Sequence, residues 1–200
     1  MYRFIITIVF LLSSFMVFAA GDAGRGKGLT RLCATCHGED GNSLAGAFPN
    51  IAGQHSKYLL KQLRDMKSGE RDAPLMLGQL DAMSDTDLED LAAYYAGQKA
   101  KVGAANPDLV ELGEAVYRAG VKRKEIAACT ACHLPSGEGN NLAGFPSLAG
   151  QWPEYTEAQL RAFRQGDRHN DGDAKMMRVT AMDLSDDEIA AVASYIYGLK

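Results

Sequence analysis

Two stretches of this chain carry residue types whose spacing can do chemistry: Cys33-Ala34-Thr35-Cys36-His37 and Cys129-Thr130-Ala131-Cys132-His133. C-x-x-C-H is the signature of covalent c-type haem attachment. Each thiol can add to one vinyl group of a porphyrin, and two intervening residues let both thiols reach the same ring. The histidine follows at once, which puts its imidazole under the iron as proximal ligand. All four cysteines of the chain lie in these pentapeptides, so none is left for a structural disulfide or a separate metal site. A redox dithiol or half of a zinc site also begins with C-x-x-C. The dithiol does not require the trailing histidine and sits in a βαβ context that this sequence lacks. Two identical C-x-x-C-H units favour haem over a zinc cluster.

A low-spin electron-transfer haem needs a second axial ligand, commonly methionine or histidine. Outside the motifs only His55 and His169 remain. They do not correspond in the repeat described below, and both read as surface histidines. Six methionines compete: Met66, Met76, Met83, Met176, Met177 and Met182. Counting back eight residues from Ser84 and from Ser185 reaches Met76 and Met177, the one pair in which methionine faces methionine. These two are the expected ligands, and the others read as packing. A neutral, soft thioether favours Fe(II) and raises the potential. With histidine on one side and methionine on the other, the iron keeps no position open for oxygen or peroxide.

The elements that must position these residues are written twice. Phe48-Pro49-Asn50-Ile51-Ala52-Gly53-Gln54 returns as Phe145-Pro146-Ser147-Leu148-Ala149-Gly150-Gln151, and Ser84-Asp85-Thr86-Asp87-Leu88 as Ser185-Asp186-Asp187-Glu188-Ile189. The offset is 96 at the cysteines, 97 through the Phe-Pro block and 101 at the last repeat, the mark of small loop insertions in a second copy of one fold. Each copy reads as helical. An amphipathic segment precedes the motif (Gly26 to Leu32; Leu109 to Ala119), and an irregular Gly- and Asn-rich loop follows it (Gly38 to Gly46; Ser136 to Gly144). A helix from about Ser56 to Lys67 places Leu59, Leu60, Leu63 and Met66 on one face. The final helices open on capping boxes at Ser84 and Ser185, with apolar faces of Leu88, Leu91, Ala92 and Tyr95, then Ile189, Val192, Ala193 and Ile196. The expected class is all-α, two tandem helical domains of 20–100 and 109–200 joined by a linker of 101–108. Domains this small bury little surface on their own, so a covalent haem supplies much of what they pack around.

The chain has 200 residues. It opens with Arg3, an apolar run from Phe4 to Phe18 and a small-residue exit at Ala19, Ala20 and Gly21. That pattern predicts a cleavable signal peptide over 1–19, hence export to the periplasm. The run is shorter than the about 20 residues that span a bilayer. Without Arg3 the chain holds 20 basic against 25 acidic side chains, which excludes nucleic acid as the default partner. The second half is the more acidic one, with 14 acidic and 10 basic residues over 104–200.

With paired C-x-x-C-H motifs, a duplicated F-P-x-[IL]-A-G-Q block and matched methionines, the sequence closely resembles the dihaem cytochrome c4 family over essentially the whole mature chain. The resemblance implies two class I cytochrome c domains related by a pseudo-twofold, each around a covalent haem c. Cys33, Cys36, Cys129 and Cys132 would carry the thioethers, with His37 and Met76 on one iron and His133 and Met177 on the other. It implies a periplasmic one-electron carrier of a respiratory chain, soluble or loosely membrane-associated and not an enzyme. A quinol–cytochrome c reductase-type donor and a haem–copper terminal oxidase acceptor would be its partners. In related monohaem domains a proline carbonyl accepts from the proximal imidazole; Pro49 and Pro146 fit that role or that of plain turn residues. Two other readings compete: a dihaem peroxidase or sulfur-compound oxidoreductase, and a subunit tethered by an uncleaved leader.

Overall fold

The structure, a computed structural model, describes residues 21–200; the predicted signal peptide lies outside the described residues. The first unit consists of α1 (Ala23–Leu29), α2 (Arg31–His37), α3 (Ser56–Ser68) and α4 (Asp85–Ala96). The second consists of α5 (Val110–Ala119), α6 (Thr130–His133), α7 (Pro153–Gln165), α8 (Met176–Ala181) and α9 (Asp186–Tyr197). Short 3₁₀ turns stand at Pro74–Met76, Pro107–Leu109 and Lys122–Lys124. Among the described residues, extended pairing is confined to the isolated bridges Val121–Ile126 and Asn140–Phe145, so the class is all-α. No helix among them is long and apolar enough to cross a membrane.

Local chemistry sets the helix ends. Both capping boxes form: Ser84 accepts from the Asp87 amide and Ser185 from the Glu188 amide, while each acidic side chain reaches back to the cap. α3 and α7 end on Gly69 and Gly166, both left-handed, which only glycine adopts without strain. The segment before the first motif departs from the expected single helix. Asp22 accepts from the Gly24 and Arg25 amides and starts α1 early. Thr30 breaks it by turning its hydroxyl onto the Lys27 carbonyl. Leu32, at the end of that segment, is 58% exposed.

The first and last helices of each unit cross closely. A Cβ at Gly26 would stand 2.1 Å from the Asp90 carbonyl oxygen, and one at Gly113 would stand 2.3 Å from that of Ala191. Only glycine permits either crossing. Gly26 and Gly113 lie 87 positions apart and the motifs 96, so nine residues enter the second copy between them. That insertion becomes a small hairpin closed by Val121 and Ile126, both of which sink into the core. The second core (Val116, Tyr117, Phe163, Leu184, Ile189, Val192 and Ile196 among others) is therefore larger than the first, which centres on Leu59, Leu91, Ala92 and Tyr95.

The two units lock face to face with twofold reciprocity. Gln54 bonds the Ser147 backbone, and Gln151 bonds the backbone of Asn50, the counterpart of Ser147. The connecting segment is held at both ends. Asn42 bonds Lys99 and Lys101 on one side, and Gly103 and Asn106 bond Tyr197 and Ser194 on the other.

Candidate haem sites

His37 closes α2 and is 8% exposed; His133 closes α6 and is 6% exposed. Their Nδ1 atoms lie 2.8 Å from the Pro49 carbonyl oxygen and 3.0 Å from that of Pro146. A carbonyl only accepts, so Nδ1 carries the proton and donates. The turn-only reading of the two prolines therefore gives way. Burial pushes both imidazoles below their ordinary pKa, against the opposing pull of the proline carbonyls, and keeps them neutral. Each Nε2 is then a free lone pair with no hydrogen-bond partner among the described residues, the state a metal ligand requires. Phe48 and Phe145 pack beside the rings, with centroids 6.5 and 6.4 Å away.

The residue after each histidine has positive φ: Gly38 at 78° and Leu134 at 64°. A Cβ at Gly38 would meet the Asn42 carbonyl oxygen at 2.4 Å, so glycine is required there. The second copy tolerates leucine because Tyr117, through its hydroxyl, grips the Leu134 carbonyl at 2.7 Å.

All four thiols are free and half-buried. Burial raises the Cys33 thiol and pushes that of Cys129 up to about 11. These are not the lowered thiolates of a dithiol exchanger. Among the described residues no three of His, Cys, Asp and Glu converge as a zinc cluster would. Cys33 borders the first core, and Cys129 the second.

Met177 is half-buried at the start of α8 and borders the same core as Cys129. Met76 is half-buried on the Pro74–Met76 turn, outside the first core cluster. Met83 packs on that core, while Met176 and Met182 are 46% and 56% exposed. His169 is exposed as expected. His55 is not a free surface histidine: its Nε2 reaches the Glu138 carbonyl across the seam at 2.8 Å.

The residues fit a covalently held haem in each unit. Each buried imidazole is held at Nδ1 and leaves Nε2 unused, two free thiols stand at C-x-x-C spacing beside it, and the loops that follow carry exposed aliphatic side chains, Leu44 at 94% and Leu142 at 89% exposure. Two buried polar atoms, Tyr95 Oη and Arg71 Nε, lack partners among the described residues.

Sequence reasoning missed the charged centre of the interface. Arg71 bonds Gln62, Tyr155 and Gln159, and Arg168 bonds Gln159, Tyr58 and Gln62. The signal was present: Arg71 and Arg168 share the offset of 97 with the Phe-Pro block.

The cytochrome c family model matches residues 23–98 and 110–200. Cytochrome c4 of Stutzerimonas stutzeri is 50% identical over 193 residues, covering 92% of either chain. A thiosulfate dehydrogenase electron acceptor of the same species is 40% identical over 173 residues, 82% of this chain and 76% of that one. The crystal structure of reduced cytochrome c4 from Pseudomonas stutzeri superposes with a TM-score of 0.89 at 50% identity, covering 90% of this chain and all of that one. The chain belongs to the dihaem cytochrome c4 family and is a c-type electron carrier.

Proposed function

We propose that this protein is a periplasmic one-electron carrier of a respiratory chain, taking electrons from a quinol–cytochrome c reductase-type donor and passing them to a haem–copper terminal oxidase. Cys33 and Cys36 hold one haem c, and Cys129 and Cys132 the other. His37 with Met76 and His133 with Met177 ligate the irons. The carrying observation is the pair of buried, neutral imidazoles, each donating Nδ1–H to a proline carbonyl.

When bound, the haem supplies the one-electron iron couple. The chain's own residues do the rest. The Pro49 and Pro146 carbonyls fix each ring and strengthen its Nε2 as a donor. The Met76 and Met177 thioethers, neutral and soft, would favour Fe(II) as ligands and would leave peroxide no binding position. Burial of both histidines keeps water and protons from competing for Nε2. The apolar leader, which lies outside the described residues, supports export through a cleavable signal peptide. The likeness to a thiosulfate dehydrogenase electron acceptor favours a sulfur-compound dehydrogenase as a second donor.

Stopped-flow mixing of the reduced protein with oxidase-containing membranes tests the reading. It expects both haems to oxidise within the turnover time of the oxidase, without peroxide consumption. Haems that stay reduced on that timescale, or catalytic loss of added peroxide, contradict it.

A further inference from the structure

Arg71 and Met76 stand five positions apart in the first copy, Arg168 and Met177 nine apart in the second, so four residues enter ahead of the second methionine. The longer connection ends in α8 rather than in a 3₁₀ turn. Asp171, within it, turns a side chain only 5% exposed onto the start of that helix. Its Oδ2 accepts from the Arg178 amide at 2.9 Å, and its Oδ1 from Arg178 Nε at 2.7 Å. The Arg178 guanidinium also donates to the His169 carbonyl at 3.1 Å. Lys175, in left-handed backbone at the helix N-cap, supplies no side-chain cap, so Asp171 takes that role from four residues upstream. The connection is anchored from the first domain as well. Lys61 donates to the Asn170 carbonyl, and the Asn170 side-chain amide donates to Gln62 and Asp65.

Arg178 directly follows Met177, which borders the same core as Cys129. Bonds from Asp171 to both the amide and the side chain of Arg178 fix the first turn of α8, and with it the Met177 backbone. The first copy has a different arrangement. Leu77 stands where Arg178 does and is 84% exposed. Among the described residues, the hydrogen bonds on the Pro74–Met76 turn are backbone bonds only. A buried ion pair whose carboxylate also caps a helix is well satisfied, and breaking it from one side is costly. Given the His/Met ligation proposed above, we infer that Asp171 and Arg178 are positioning residues that hold the Met177 thioether on its iron. Met76, without such a pair, is the more readily displaced of the two ligands.

Imidazole titration of the oxidised holoprotein, with haem counted per chain, reads this through the near-infrared methionine-to-iron(III) band. Added imidazole reaches an iron only while its methionine is off, so its apparent affinity scales with that open fraction. The wild-type band is expected to fade in two steps, and Met76→Ala to lack the step at lower imidazole. Asp171→Asn is expected to keep two haems and the first step, and to bring the second step down about tenfold in imidazole concentration. Arg178→Lys, which keeps the charge but loses the fork, brings it down by less, about threefold. A two-haem Asp171→Asn protein with an unmoved second step overturns the proposal, even if its denaturant midpoint falls, because the pair is then structural only. A wild-type band that fades in one step, or whose first step survives Met76→Ala, overturns it too. If Asp171→Asn loses haem, Arg178→Lys decides: a shift confined to the second step supports the pair, and an unmoved step overturns it. Failure of the His/Met ligation stays distinguishable, because the oxidised wild type would then lack the band before any imidazole is added.

Discussion

Gln54 and Ser147 clasp each other across the two domains: the Gln54 amide donates to the Ser147 carbonyl at 2.8 Å and its oxygen accepts the Ser147 N–H at 2.9 Å. The pseudo-twofold repeats the clasp as Gln151 on Asn50. Removing either side chain strands a part-buried amide and carbonyl, at about 1–3 kcal/mol for each unsatisfied group. Gln54→Ala with Gln151→Ala is expected to split a single calorimetric transition into two. One unchanged transition would contradict a structural role for the clasp.

The helix crossings make a sharper demand. Gly26→Ala and Gly113→Ala each force a methyl onto a backbone carbonyl that cannot yield. Each is expected to cost about 3 kcal/mol, seen as a lower denaturant midpoint at unchanged slope. Ala at Gly28, where a Cβ meets nothing within 4 Å, serves as the control and leaves the midpoint unchanged or slightly raised.

Much of this was legible in the sequence, and the reasons are local. A C-x-x-C-H motif, a capping box at Ser84 or Ser185, and apolar spacing along α4 and α9 each depend on neighbours within a few residues. One miss is local, and the others depend on the seam. Thr30 breaks a helix through one side-chain bond, and His55 reads as surface because its partner, the Glu138 carbonyl, belongs to the other domain. Arg71 and Arg168 looked like ordinary charged residues until the fold brought them onto shared acceptors. Their repeat offset was the one signal that could have marked them.

Glu188 gives the second domain an acid limit. Burial acts to raise its carboxyl, but the Lys124 ammonium and the Ser185 cap outweigh it and hold the pKa below the usual carboxylate range. A depressed folded-state pKa adds stability above the unfolded value of about 4.3 and loses it as pH falls through the folded one. Stability is therefore expected to fall as pH drops below that unfolded value. Glu188→Gln flattens that drop; a variant that keeps its full slope contradicts the assignment.

Leu134 stores strain beside His133, the proposed iron ligand. With φ of 64° and ψ of 162° it occupies a region that suits glycine. Leu134→Gly is expected to be more stable than Leu134→Ala by about 1–3 kcal/mol, the reverse of the usual order. Tyr117→Phe, which releases the Leu134 carbonyl, is expected to perturb the second haem's spectrum alone. Equal stability of the Gly and Ala variants contradicts the strain.

Thioether ligation at both irons is the claim on which the carrier reading rests, and the near-infrared spectrum of the oxidised protein tests it most directly. The account predicts two haems per chain and the methionine-to-iron(III) charge-transfer band, with no high-spin component. Met76→Ala and Met177→Ala are each expected to remove about half of that band while both haems stay attached, since the two sites are equivalent under the repeat. A wild-type protein without the band, or a Met76→Ala variant that keeps all of it, would contradict the account.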